Sequence, residues 1–138
     1  MIEQTKTILL VDDDPDFSEA VSFFLKNNGF QVHRARNGPE ALKLAEMQKP
    51  DLILMDVMME ERTEGFFTIQ QIRRTPALKQ IPIFVVSSIY ATRADFQIAP
   101  ESRWLAHDEF FPKPVDLPRL LEKIRARLET PAAREAAK

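Results

Sequence analysis

Cysteine is absent from the 138 residues, which excludes disulfides and thiolate metal sites and makes a reducing compartment the simpler setting. Glycine occurs three times, too seldom for the Gly-rich loop that cradles nucleotide phosphates. No apolar run approaches the length of a membrane span, and the opening MIEQTKT is polar, without the apolar centre of a signal peptide. A cytoplasmic location with no membrane partner is the expectation. Charge of one sign is lacking too. Nineteen basic against 21 acidic residues leave a formal net charge of −2, with no basic excess of the kind a direct nucleic-acid surface shows. What remains is ordinary for a soluble chain: 44% hydrophobic and 29% charged residues, at the length of one compact domain.

Short apolar runs alternate with helical patterns, as in a parallel α/β sheet. The strong runs are Ile8–Val11, Leu52–Met55 and Ile83–Val86, with weaker ones at Gln31–Ala35 and Glu109–Phe111. The strong runs are apolar at every position, which predicts strands covered by helices on both faces. Between them, Phe17, Ala20, Val21, Phe24 and Leu25 form one helical stripe, begun by Pro15 and stopped at Asn28-Gly29. Pro39–Gln48 follows the Asn37-Gly38 turn and closes before Pro50. Gly65–Thr75 carries Phe66, Ile69 and Ile72 inward, and Leu117, Leu120, Leu121, Ile124 and Leu128 mark the last helix. The stretch from Ser88 to His107, interrupted by Pro100, predicts a short or irregular fourth helix. The order is βαβαβαβαβα. The fold class is therefore α/β, a flavodoxin-like doubly wound (βα)5 with five parallel strands in the order 2-1-3-4-5 and helices on both faces. Residues 1–128 form the domain, and 129–138 are expected to be a C-terminal tail or the start of a linker.

In that strand order the ligand crevice lies at the carboxyl ends of strands 1 and 3. Strand 1 ends in Asp12-Asp13-Asp14 and strand 3 in Asp56, so several carboxylates converge. Like charges held that close raise one another's pKa unless a cation neutralises them. Oxygen ligands without Cys or His favour a hard ion, Mg²⁺ first, then Mn²⁺ or Ca²⁺. The bland alternative is that the Asp triplet merely caps the first helix and Asp56 is a strand-end acid. Strand 4 ends in Ser87-Ser88, and strand 5 runs into Phe111-Pro112-Lys113-Pro114. A hydroxyl and an ammonium facing a metal-loaded carboxylate suit a phosphoryl group, Ser87 as hydrogen-bond donor and Lys113 as point charge.

The ordered quartet ILLVDDDP, DLILMDVMM, IPIFVVSS and FFPKPVD resembles the receiver domain of two-component response regulators, from about Lys6 to Leu128. The resemblance implies that Asp56 is the phospho-acceptor, taking a phosphoryl group from a sensor histidine kinase or phosphotransfer protein. It implies that Asp13 and Asp56 are direct Mg²⁺ ligands together with the backbone carbonyl of Met58, and that Asp12 acts through water. Ser87 matches the hydroxyl that closes on the phosphoryl group and Lys113 the lysine that meets it. Lys113-Pro114 is a candidate cis bond. Phe110 matches the aromatic switch, whose turn alters the surface of the fourth helix, fifth strand and fifth helix for a downstream protein. Such a domain is a signalling phospho-acceptor that catalyses only its own phosphoryl transfer and dephosphorylation.

The chain departs from the family's pattern in several places. The loop Glu60–Gly65 beside the metal position is one residue longer, and Glu60 adds a charge there. The stretch from Ser87 to Lys113 is a few positions longer, which puts the fourth helix and its output face in question. Trp104 within it is a core or lid aromatic, or else a partner anchor. Met58 and Ile89 are apolar where polar side chains could orient a hydrolytic water, so slow dephosphorylation is expected. No DNA-binding or catalytic domain follows Leu128; the chain is either stand-alone or cut from a longer one. Two other readings remain. One is a receiver-like binding module that works without phosphate. The other is an aspartate-nucleophile phosphatase of the haloacid-dehalogenase type, which Asp12-x-Asp14 permits but which lacks its later acidic motif and a cap domain.

Overall fold

A computed structural model describes residues 5–56, 64–87 and 109–129, with only the backbone described at 64–66, 87 and 129. The elements are β1 (Thr7–Val11), α1 (Pro15–Asn27), β2 (Gln31–Ala35), α2 (Gly38–Gln48), β3 (Leu52–Met55), α3 (Glu64–Arg74), β4 (Ile83–Ser87), β5 (Glu109–Pro112) and α4 (Leu117–Glu129). The last of these, α4, is the helix expected as the fifth. The irregular fourth helix expected between Ser88 and His107, with Pro100 and Trp104, lies outside the described residues.

The strands pair in the order β2-β1-β3-β4-β5, every pair parallel, as the alternating pattern predicts. The reason for continuously apolar strands is visible in how successive residues divide. Leu9, Val11, Ile53, Met55, Ile83 and Val85 join Ala41 and Ala45 of α2 and Ile69 and Ile72 of α3 in one core layer. Ile8, Leu10, Leu52, Leu54, Phe84 and Val86 join Val21 and Leu25 of α1 and Leu120 and Ile124 of α4 in the other. Each fully buried Leu or Ile contributes about 1.5–3 kcal/mol, so both faces of every central strand matter. Phe84 and Phe111 meet with ring centroids 5.6 Å apart, tying β4 to β5.

Local signals explain the helix ends. Asn37 caps α2 by accepting from the Glu40 N–H at 2.8 Å, and the Glu40 carboxylate reaches back to the Arg36 N–H at the same distance. Gly29 takes φ +95, the left-handed conformation that lets the chain turn from α1 into β2. Of the α1 stripe, Phe17, Val21, Phe24 and Leu25 pack into or against the second core layer, and Ala20 alone departs from it. Ala20 is exposed, and Ser18 and Ser22 are buried beside Val21 and Leu25. The helical period stands, and the inward face is wider than the apolar stripe because the small Ser18 and Ser22 are buried within it. Ser18 offsets its burial by donating from its hydroxyl to the Asp12 carbonyl at 3.4 Å. The third helix runs from Glu64 to Arg74, one residue earlier than Gly65–Thr75. No helix among the described residues is long and apolar enough to cross a membrane.

Candidate functional site

The register of the sheet brings the chemistry together. Val11 pairs with Met55, so the residues that follow, Asp12 and Asp56, leave the sheet side by side. The Asp56 N–H donates to the Val11 carbonyl at 2.9 Å, and the Asp12 N–H to the Ala35 carbonyl at 3.0 Å, which anchors both strand ends. On the other side, Ser87 pairs with Pro112, so Lys113 emerges one residue past the end of β5. The Lys113-Pro114 bond is cis, as its pattern suggests.

Asp12, Asp13 and Asp56 each offer a carboxylate oxygen within 4.8 Å of the others. Asp12 and Asp56 are buried, at 2% and 4% exposure, while Asp13 is open to solvent. Lys113 reaches across from β5. Its Nζ donates to Asp12 Oδ2 at 2.8 Å and lies 3.5 Å from Asp56 Oδ2. Of the two contacts, the first is a full charge-assisted hydrogen bond and the second is at the limit of reach. Burial pushes the Asp12 carboxyl up to about 6, against the hydrogen bond from Lys113, and the neighbouring Asp56 charge adds to the rise. For Lys113, burial alone would lower the ammonium's pKa. The hydrogen bond to Asp12 and the charge of Asp56 outweigh it, leaving Lys113 above its ordinary value.

Among the described residues, three acidic side chains against one ammonium leave a negative excess in a pocket that is partly sheltered from water. The donors are all oxygens, and they converge from the ends of two adjacent strands. The residues present therefore fit a small, hard divalent cation.

The aspartate triplet divides its labour, which answers the capping alternative. Asp14 caps α1, accepting from Asp16 N–H at 3.0 Å and from Phe17 N–H at 3.3 Å. Asp12 and Asp13 are left for the cluster, and Asp12 Oδ1 holds the Asp14 N–H at 2.9 Å. Phe110 is half-buried and packs against the core layer containing Val11 and Met55. Ser87 ends β4 on the crevice side of the sheet, but its side chain lies outside the described residues, as do Met58, Glu60 and Ile89. One contact was not foreseen. The ring of Phe17 sits under the Lys113 ammonium, with Nζ 4.2 Å from its centroid. Its spacing from Asp13, one helical turn, places Phe17 at the crevice end of α1, though nothing in that spacing pairs it with Lys113.

Comparison with known proteins identifies the family and the fold. Residues 8–125 match the family described as the response regulator receiver domain. The polar-differentiation response regulator DivK of Brucella anthropi is 29% identical over 123 residues, covering 89% of this chain and 96% of that protein. The DNA-binding dual master transcriptional regulator RpaA of a Synechocystis species is 32% identical over 121 residues, covering 88% of this chain. The chain spans only 48% of RpaA's length. Among solved structures, the chemotaxis response regulator CheY4 of Vibrio cholerae superposes with a TM-score of 0.73 at 26% identity, covering 88% of this chain and 98% of its own. With the sheet order, the strand-end carboxylates and this match over most of its length, the chain belongs to the response-regulator receiver domain family.

Proposed function

We propose that this domain accepts a phosphoryl group on Asp56 from the phosphohistidine of a sensor histidine kinase or phosphotransfer protein, and passes the change to a downstream protein. The observation that carries the reading is the convergence of Asp12, Asp13 and Asp56 with the Lys113 ammonium bonded into the same cluster. Asp56 supplies the attacking oxygen. As its bond to phosphorus forms, the bond to the donor's imidazole nitrogen breaks, and the electron pair leaves with the imidazole. Lys113 is 3.5 Å from that carboxylate, near enough to follow the charge that builds on the phosphoryl oxygens.

Asp13 and Asp56 would hold Mg²⁺ directly, with the Met58 carbonyl as third protein ligand and Asp12 acting through water. When bound, Mg²⁺ supplies charge neutralisation at the phosphoryl oxygens. Ser87 would donate its hydroxyl to the bound phosphoryl group. Phe110, next to Phe111 on β5, would turn into the space Ser87 leaves, and the surface around β5 and the helices flanking it would change for the partner. The domain then acts as a switch in the cytoplasm, and the only chemistry it performs is on its own aspartate. Its contacts are with proteins, with neither nucleic acid nor membrane bound directly.

Incubation with Mg²⁺ and a small acyl-phosphate donor, followed by intact mass measurement, tests the reading. One added phosphate is expected, absent from Asp56→Asn. Turnover of a phosphate ester would instead indicate an aspartate-nucleophile phosphatase. Absence of both adduct and turnover would indicate a receiver that works as a binding module without phosphate.

A further inference from the structure

The Lys113 side chain has a long, flexible stem, and an ammonium on such a stem loses precision unless something holds it. Three groups surround it here. Asp12 accepts from it, Asp56 lies at the edge of reach, and the Phe17 ring is 4.2 Å away. Phe17 is itself anchored. Its N–H is capped by Asp14, whose own N–H is held by Asp12, and its ring packs against the core layer that α1 shares with α4. The contacts close into a circuit of Asp12, Asp14, Phe17 and Lys113, returning to Asp12. Within it, Phe17 is the one member that is neither charged nor one of the strand-end acids.

We propose that Phe17 is a positioning residue whose ring holds the Lys113 ammonium beside the Asp12 and Asp56 carboxylates, and thereby sets how well Lys113 meets an anionic group arriving at Asp56. This rests on the reading of Asp56 as phospho-acceptor. An aromatic face within about 6 Å of an ammonium attracts it through the ring quadrupole, more strongly as the pair is desolvated. A leucine at the same place would fill similar apolar space without that face.

The test compares wild type, Phe17→Leu and Phe17→Tyr, with a small acyl-phosphate donor so that no kinase-docking surface is involved. Two quantities are followed. The first is the ring-current shift of the Lys113 side-chain protons by NMR, which needs no phosphorylation. The second is the rate of phosphate incorporation at saturating Mg²⁺. Phe17→Leu should melt close to wild type, lose the ring-current shift and incorporate phosphate roughly three- to ten-fold more slowly, the range a cation–π contact of this kind supports. Phe17→Tyr should restore both. A wild-type protein without the shift, or a Phe17→Leu variant that loses the shift yet reacts at the wild-type rate, overturns the proposal. If the wild type itself takes up no phosphate while showing the shift, the phospho-acceptor reading has failed, and the positioning role falls with it.

Discussion

Replacing Asp12 with asparagine should make the metal-free protein more stable while it impairs the site. The Asp12 carboxyl is pushed up from 3.8 to about 6, chiefly by burial, so the folded state binds its proton more tightly than the unfolded chain does. The handicap is therefore absent below about pH 4, grows between about pH 4 and 6, and is complete above that. At about 1.36 kcal/mol per pKa unit, keeping this carboxylate ionised costs about 3 kcal/mol. The side chain is 1% exposed, so solvent screening removes little of it. Asparagine removes the charge but has one oxygen where Asp12 uses two, one for the Asp14 N–H and one for Lys113. Losing one of those bonds costs about 1 kcal/mol. The net gain should be about 1–2 kcal/mol. Urea unfolding in chelator at pH 7.5 should show it, and the difference should shrink toward pH 4. With millimolar Mg²⁺ the wild type should recover more stability than the variant. A variant less stable than wild type in chelator at pH 7.5 would refute the claim that Asp12 is held charged at a cost.

Lys113→Met should act in the opposite direction, leaving the buried Asp12 and Asp56 without their cation. A loss of about 2–4 kcal/mol is expected in chelator, partly recovered by Mg²⁺, as read from urea midpoints. Asp14→Ala removes the cap of α1 and should cost about 1 kcal/mol, with Mg²⁺ affinity by titration calorimetry unchanged, because Asp14 meets the cluster only through its backbone N–H, which alanine keeps. Met58→Asn places a polar side chain two residues past Asp56, where it can orient water. Phosphate loss from purified, phosphorylated protein should be faster than in wild type, and rapid loss from the wild type that Met58→Asn does not accelerate would remove the expectation of slow dephosphorylation.

The strands and their order were legible because helices cover both faces of the sheet. Runs such as Leu52–Met55 must then be apolar at every position, a pattern that alternating strands do not share. The meeting of Asp12 and Asp56 followed from strand order alone, since neighbouring parallel strands end at the same edge. The burial of two serines on α1, and the exposure of Ala20, were not legible. Apolar periodicity marks Phe17, Val21, Phe24 and Leu25, yet it says nothing of polar Ser18 and Ser22, which are buried too, Ser18 donating to the Asp12 carbonyl. Nor could spacing distinguish the three consecutive aspartates. Their separate duties depend on where the chain turns from extended to helical, and Asp14 occupies that turn. The contact of Phe17 with Lys113 joins distant parts of the chain, and only the packed structure pairs them.

The central claim is that Asp56 is where the phosphoryl group goes, and that the acidic cluster around it needs a divalent cation. Borohydride reduction of an aspartyl phosphate yields homoserine, whose mass marks the residue in a peptide digest. After reaction with a small acyl-phosphate donor, the mark should fall on Asp56 when Mg²⁺ is present and vanish with chelator. A mark on Asp12 or Asp13, or equal labelling of Asp56 with and without the metal, would contradict it.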